Sequence, residues 1–263
     1  MRGVLCTALV LSLNALAIDC RKAQTPREKL ICKSPELKRH DAELNALYRQ
    51  VVERATPAGL KKLRKSQRAW LERMDASDLK EEKLAALIND RVASLIRRED
   101  HFLDDDDPCG NTRSIRSDLS LPNGVRSVVA YSVGSCPGSL HPYCSVDATN
   151  FVVGELLEIK TLFKKDTDII AVLNTLCEGD GAQALSREAI DAGASSDDTE
   201  DCSWAFRCYQ IRMSGLALTL RGLEVNLNRV GECSCANDGE VIPWVKLKPY
   251  LDPNGPVPFA LAY

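Results

Sequence analysis

The sequence predicts an α+β protein: a small all-α helical array with a disulfide, followed by a disulfide-rich α+β region. Two patterns and one count carry this. Residues 18–102 show helix starts followed by apolar stripes at helical spacing. Beyond residue 109 the apolar runs are short and broken by Gly, Pro, Asn and Asp, as strands are. The cysteines are numerous, and even in number once the N-terminal leader is set aside.

That leader comes first. Met1 and Arg2 give a positive start, and Val4 to Ala17 is apolar except for Thr7, Ser12 and Asn14. Ala15 and Ala17 then place small residues at −3 and −1 before Ile18. Charge, apolar stretch and A-x-A together predict a secretory signal peptide over residues 1–17. A run this short is a poor membrane span, and no later stretch reaches eighteen apolar residues. The expected mature chain of 246 residues is therefore periplasmic or secreted, with no membrane insertion. Lipidation at Cys20 is disfavoured, because Asp19 stands where a small residue is needed.

The helical elements follow in order. Thr25-Pro26-Arg27-Glu28 reads as an N-cap, a proline at the first helical position and a capping acid, opening a short helix to about Cys32. Ser34-Pro35-Glu36 opens a second, whose stripe is Leu37, Leu44, Leu47, Tyr48, Val51 and Val52. Thr56-Pro57 opens a third, with Leu60, Leu63, Trp70, Leu71 and Met74. The fourth starts near Ser77-Asp78 and carries Leu84, Leu87, Ile88, Val92, Leu95 and Ile96. Short connections make this an antiparallel array.

Ten cysteines remain after the leader: Cys20, Cys32, Cys109, Cys136, Cys144, Cys177, Cys202, Cys208, Cys233 and Cys235. In an exported chain an even count points to disulfides. A metal centre is disfavoured, since no C-x-x-C occurs and His40, His101 and His141 lack ligand spacing. Cys20 and Cys32 could tie the N-terminal arm to the first helix, and closing a loop of that size contributes roughly 3 kcal/mol. The other eight allow 105 pairings. Cys233 and Cys235 are too close to pair comfortably with each other.

Charge marks a boundary. Residues 18–102 carry twenty Lys and Arg against fourteen Asp and Glu, a balance of +6. Residues 103–263 carry thirteen against twenty-three, a balance of −10. Asp104-Asp105-Asp106-Asp107-Pro108 lies between them, so 103–108 reads as an acidic linker. It lacks the alternating ligands of a calcium loop. In the second region, residues 109–263, Val125 to Val133, Phe151 to Leu157 and Gln210 to Leu220 read as strands of a substantial sheet. Phe163 to Cys177 fits either a strand or a helix, and Asp180 to Ser196 a loop or short helix. Trp244 to Leu251 fits a short helix after Pro243.

One stretch is more specific. Asp19-Cys20, Ala23, Thr25, Glu28, Ile31-Cys32, Ser34-Pro35, Leu37, Asp41, Leu44 and Tyr48, then Ser66 to Leu71 with Gln67, Arg68 and Trp70, and finally Arg73, resemble the N-terminal domain of LprI-type lysozyme inhibitors. The resemblance spans about residues 19–75. It implies a disulfide at Cys20 and Cys32 and inhibition of lysozyme, the muramidase of host defence. Members commonly carry a second cysteine pair after the tryptophan segment; here Ser77 stands in that region, and no cysteine lies between Cys32 and Cys109. Near the C-terminus, Val241-Ile242-Pro243 and Leu247 to Leu251 resemble the end of an extracytoplasmic domain of lysozyme-sensing anti-sigma factors.

Lysozymes work through two carboxylates in a cleft. A binding protein can cover that cleft or engage its carboxylates, and an acidic second half would steer encounter with a basic lysozyme. The candidate partner-binding residues are Asp41, Tyr48, Gln67, Arg68 and Trp70, with Arg and aromatics as anchors. The alternative places Trp70 and Tyr48 in the core and Asp41 with Arg68 in an interhelical contact, and stripe spacing favours it. No catalytic residues are nominated: G-x-S-x-G and H-E-x-x-H are both absent. No cofactor or metal is expected. Nucleic acid is a poor partner, because the basic residues alternate with acids. The competing functional class is an envelope scaffold or sensor that binds without inhibiting, with an envelope hydrolase third.

Overall fold

The computed structural model describes residues 18–75, 79–103, 112–134, 143–177, 211–227, 229–230 and 239–256. The leader, Ser77-Asp78, the Asp104 to Pro108 run and Asp180 to Ser196 lie outside them, as do Cys109, Cys136, Cys202, Cys208, Cys233 and Cys235.

Four helices come first: α1 Pro26–Lys33, α2 Pro35–Arg54, α3 Pro57–Asp75 and α4 Glu81–Leu103. The first three start where the sequence signals, and α4 begins at Glu81 rather than near Ser77-Asp78. Thr25 Oγ1 accepts from the Glu28 amide at 3.1 Å, and the Glu28 carboxylate accepts from the Thr25 amide at 3.0 Å. Ser34 caps α2 by accepting from the Leu37 amide. Cys20 and Cys32 form a disulfide with Cα atoms 5.5 Å apart. The stripes meet in one core holding Leu37, Leu47, Val51, Leu63, Leu84, Ile88 and Leu95. No helix among the described residues is long and apolar enough to cross a membrane.

The rest is mixed. β1 Thr112–Leu121, β2 Val125–Gly134, β3 Tyr143–Val152 and β4 Glu155–Leu156 pair antiparallel in that order, and β7 Arg229–Val230 adds to β3. A second antiparallel sheet runs β5 Ile211–Leu218, β6 Gly222–Leu227 and β8 Glu240–Pro243. The ambiguous segment resolves as helix α5, Ile169–Cys177, and Cys177 is also disulfide-bonded. After Pro243 the helix is a single turn, Trp244–Leu247, shorter than expected. β1, β6, β7, β8 and most of β3 were not foreseen.

The layers follow from β2. One face of the first sheet, with Val128, Ala130 and Phe151, joins the helical core. Val129 on the opposite face packs with Val146 and with Ala217 of β5. A strand covered on both sides reads as a near-continuous apolar run, and Val125 to Val133 does so. Between the sheets, Asn150 accepts from Ser127 Oγ at 2.7 Å and donates to the Leu216 carbonyl at 2.8 Å. The Leu218 amide donates back to Ser127 Oγ at 3.1 Å. Ser127 and Asn150 are buried, and these bonds satisfy them.

Two hairpin tips fix the helix–sheet approach. Asn123 and Gly124 both take positive φ, as a tight β1–β2 turn requires. Val153 and Gly154 do the same between β3 and β4, with φ of 50° and 87°. At Gly154 a Cβ would stand 2.6 Å from Ala42 Cβ, so only glycine lets α2 come this close.

Candidate functional site

The arm before α1 is held by the Cys20–Cys32 bond and by a turn in which Lys22 N donates to the Asp19 carbonyl. At its start, Ile18 N donates to Asp41 Oδ2 at 3.0 Å. Asp41 and Trp70 thus border one cavity of about 300 Å³ beneath the arm, walled also by Arg27, Met74 and Ile88. Burial pushes the Asp41 carboxyl above its ordinary range, while the Ile18 N–H, the Arg27 charge and Asn45 pull it back. Arg27 is engaged with Asp75 at 3.0 Å.

The other candidates lie elsewhere. Gln67 accepts from Arg91 Nε at 2.9 Å, and the same guanidinium donates to Ser66 Oγ at 3.0 Å. Tyr48 packs half-buried against the helical core, where burial raises its hydroxyl against the nearby Arg64 and Arg91 charges. Trp70 is only 8% exposed. Arg68 is exposed on α3, on a face shared with Lys61, Arg64 and Lys65. Asp41 is bonded to the arm at Ile18, not to Arg68. The structure therefore joins Asp41 with Trp70 and leaves Arg68 as the one exposed member of the five.

Sequence reasoning missed a second constellation. Arg126 on β2 holds Asp118 of β1 through two bonds, at 2.8 and 2.6 Å. Its third nitrogen donates to Glu43 on α2 at 2.8 Å and to Asn89 on α4 at 3.0 Å. Glu43 is fully buried; burial pushes its carboxyl up, and Arg126 and Arg39 oppose that shift. His40 lies close by with its pKa depressed, first by burial and then by the Arg39 and Arg126 charges. The one visible signal was an arginine inside the apolar run of β2. With both acids held by one guanidinium and Glu43 sealed from solvent, the cluster works as a clamp between helices and sheet. Among the described residues no group of three His, Cys, Asp or Glu is placed to hold a metal ion.

Comparison with known proteins gives a regional answer. No curated protein and no solved structure matches the chain. Residues 20–99, from the first disulfide cysteine into the last turns of α4, match the family model described as Lysozyme inhibitor LprI, so the likeness covers the helical portion of the chain.

Proposed function

We propose that the protein is an exported binding protein that inhibits lysozyme by occluding its active-site cleft. The observation that carries this reading is the family match over residues 20–99, on a helical region closed by the Cys20–Cys32 disulfide. A disulfide suits a periplasmic or secreted setting. The action is binding rather than catalysis. Its organisation is a leader over 1–17, an LprI-type helical domain over 18–102, an acidic linker over 103–108 and a cysteine-rich α+β domain over 109–263.

Charge suggests how the two proteins meet. The −10 balance of residues 103–263 attracts a basic enzyme over long range. The exposed face of α3, with Lys61, Arg64, Lys65 and Arg68, repels a basic surface except where that surface is acidic. In a lysozyme the acidic place is the cleft with its two carboxylates. Arg68 is therefore the residue we assign to the cleft, while Asp41, Tyr48, Gln67 and Trp70 support the helices behind it.

The test is clearing of a bacterial cell-wall suspension by lysozyme, with the oxidised chain from Ile18 onward added in increasing amounts. Clearing should slow with dose, and Arg68→Glu should weaken the effect. If neither animal nor bacterial lysozymes are slowed, and none binds at low salt, the reading is wrong. A non-inhibitory envelope scaffold then takes its place.

A further inference from the structure

We propose that the cavity at Asp41 is a binding site for the chain's own α-ammonium group, created at Ile18 when the Ala17–Ile18 bond is hydrolysed. The inference rests on reading residues 1–17 as a cleaved export signal and is independent of lysozyme inhibition. The covalent step is peptide hydrolysis. Water adds across the amide, Ala17 leaves as a carboxylate, and the Ile18 nitrogen becomes a primary amine that takes a proton at neutral pH.

Three placements support it. The Ile18 nitrogen already lies 3.0 Å from Asp41 Oδ2. In an uncleaved chain that atom is an amide with one neutral N–H. After cleavage it is a cation with three donors, and the contact becomes a charge-assisted pair. The arm is also fixed by contacts that do not involve the amine. Two residues on, Cys20 is bonded to Cys32, and Asp19 is turned by its bonds to the Arg21 and Lys22 amides. Little further ordering is needed to deliver Ile18, whose side chain packs against the helical core.

The third placement is the setting of Asp41. Trp70, Met74 and Ile88 contribute apolar wall from α3 and α4. The charged groups bordering the cavity are Arg27 and Glu28 of α1 and Asp19 and Lys22 of the arm. Arg27 is shared with Asp75, and Glu28 is occupied in the capping box. Asp41, half-buried, lacks a dedicated cation among these groups. A half-buried carboxylate strongly favours an opposite charge within bonding distance. The mature N-terminus supplies one at the right atom.

Processing would thereby complete the N-terminal corner of the helical array, and mature and unprocessed chains would differ in stability as well as length. The experiment uses full-length oxidised protein in four forms: starting at Ile18 or with one glycine before it, each with Asp41 or Asp41→Asn. N-terminal sequencing of exported protein should begin at Ile18. Acylation of the Ile18 amine at pH 7, followed by mass spectrometry, should be roughly tenfold slower with Asp41 than with Asn, the effect of about one unit in the amine pKa. The added glycine should lower Tm by about 2–6 °C with Asp41 present and leave the Asn form unchanged. If Asp41→Asn does not fold, an Ile18 chain acetylated at its α-amine replaces it and should lose the same Tm. A different mature start, equal acylation rates, or an extension without effect on Tm would overturn the proposal. None of these readouts involves lysozyme, so they stand or fall apart from the inhibition assay.

Discussion

Arg126 on β2 donates to Glu43 on α2 at 2.8 Å, with the two side chains 4% and 0% exposed. Eighty-three residues of chain separate them. The pair lies in a layer that also carries apolar contact between helices and sheet, where Val128, Ala130 and Phe151 enter the helical core. The apolar contacts are non-directional; the charged group sets the register of α2 and α4 on the sheet. Asp118 and Asn89 complete the guanidinium's bonding from β1 and α4.

Removing the arginine alone leaves Glu43 buried without its hydrogen-bonded cation, with only Arg39 Nε at 3.6 Å beside it. Arg126→Leu is therefore expected to cost about 3–5 kcal/mol of unfolding free energy. Replacing both members, as Arg126→Leu with Glu43→Leu, should cost substantially less than the sum of the single changes, because no fully buried acid is left unpaired and Asp118, which also loses Arg126, is partly exposed. Denaturant unfolding of the four chains measures the coupling. A single-variant loss under about 1 kcal/mol would show that the clamp does not hold the layers.

His40 gives a pH dependence of definite sign. Its folded pKa is depressed below the ordinary 6.5, by burial first and then by Arg39 and Arg126, with Glu36 and Asp118 acting oppositely. Below pH 6.5 the unfolded chain therefore binds a proton that the folded chain resists, so stability falls as pH drops from 6.5 toward the folded value. Glu43 is shifted upward by burial. Its contribution has the other sign: it is fully present below the ordinary carboxylate range and is lost as pH rises through its folded value. Thermal melts of the wild type and His40→Gln across pH 7 to 5 separate the two. The wild type should lose more Tm over this interval, and parallel curves would remove His40 from the account.

At the β3–β4 tip, Val153 is 69% exposed with φ of 50°, a conformation β-branched residues resist. Val153→Asn should raise stability by about 1 kcal/mol, since asparagine tolerates the left-handed region and little packing is lost. Gly154→Ala should do the opposite, costing about 2 kcal/mol or more through its φ and the contact with Ala42. Chemical denaturation checks both. A neutral Gly154→Ala would mean that α2 can shift away from the tip.

The same features explain what was legible from sequence. The stripes of α2 to α4 repeat at helical spacing, and prolines open α1, α2 and α3, so local rules sufficed. β2 stood out because both its faces are covered. β1 did not: Leu121 is buried while Leu119 is 39% exposed, and an irregularity between Ile115 and Ser117 breaks the alternation. α5, Ile-Ile-Ala-Val-Leu-Asn-Thr-Leu-Cys, is too uniformly apolar for periodicity to choose between helix and strand. Of the candidate site, Trp70 and Asp41 were found as residues but not as neighbours. Their shared cavity, like the Arg126 clamp, depends on contacts between segments far apart in sequence, which no local pattern encodes.

The change of charge between residues 102 and 109 sets up the last prediction. Charge and composition change there, and a fragment covering 18–102 keeps α1, α2, α3, all but the last residue of α4, and the Cys20–Cys32 disulfide. It loses Val128, Ala130 and Phe151 from its core, and it loses Arg126 from Glu43. Solvent then reaches apolar faces of α2 and α4 that the sheet covers in the whole chain. The fragment should fold with a lower denaturant midpoint than the full chain and bind a hydrophobic dye that the full chain excludes. Glu43→Lys should be tolerated in the fragment, where position 43 is wet, yet severely destabilise the full chain by facing Arg126. Equal midpoints for fragment and full chain would show that the helical array is self-sufficient and the sheet contact incidental. In that case any lysozyme inhibition by the fragment could be compared directly with that of the whole protein.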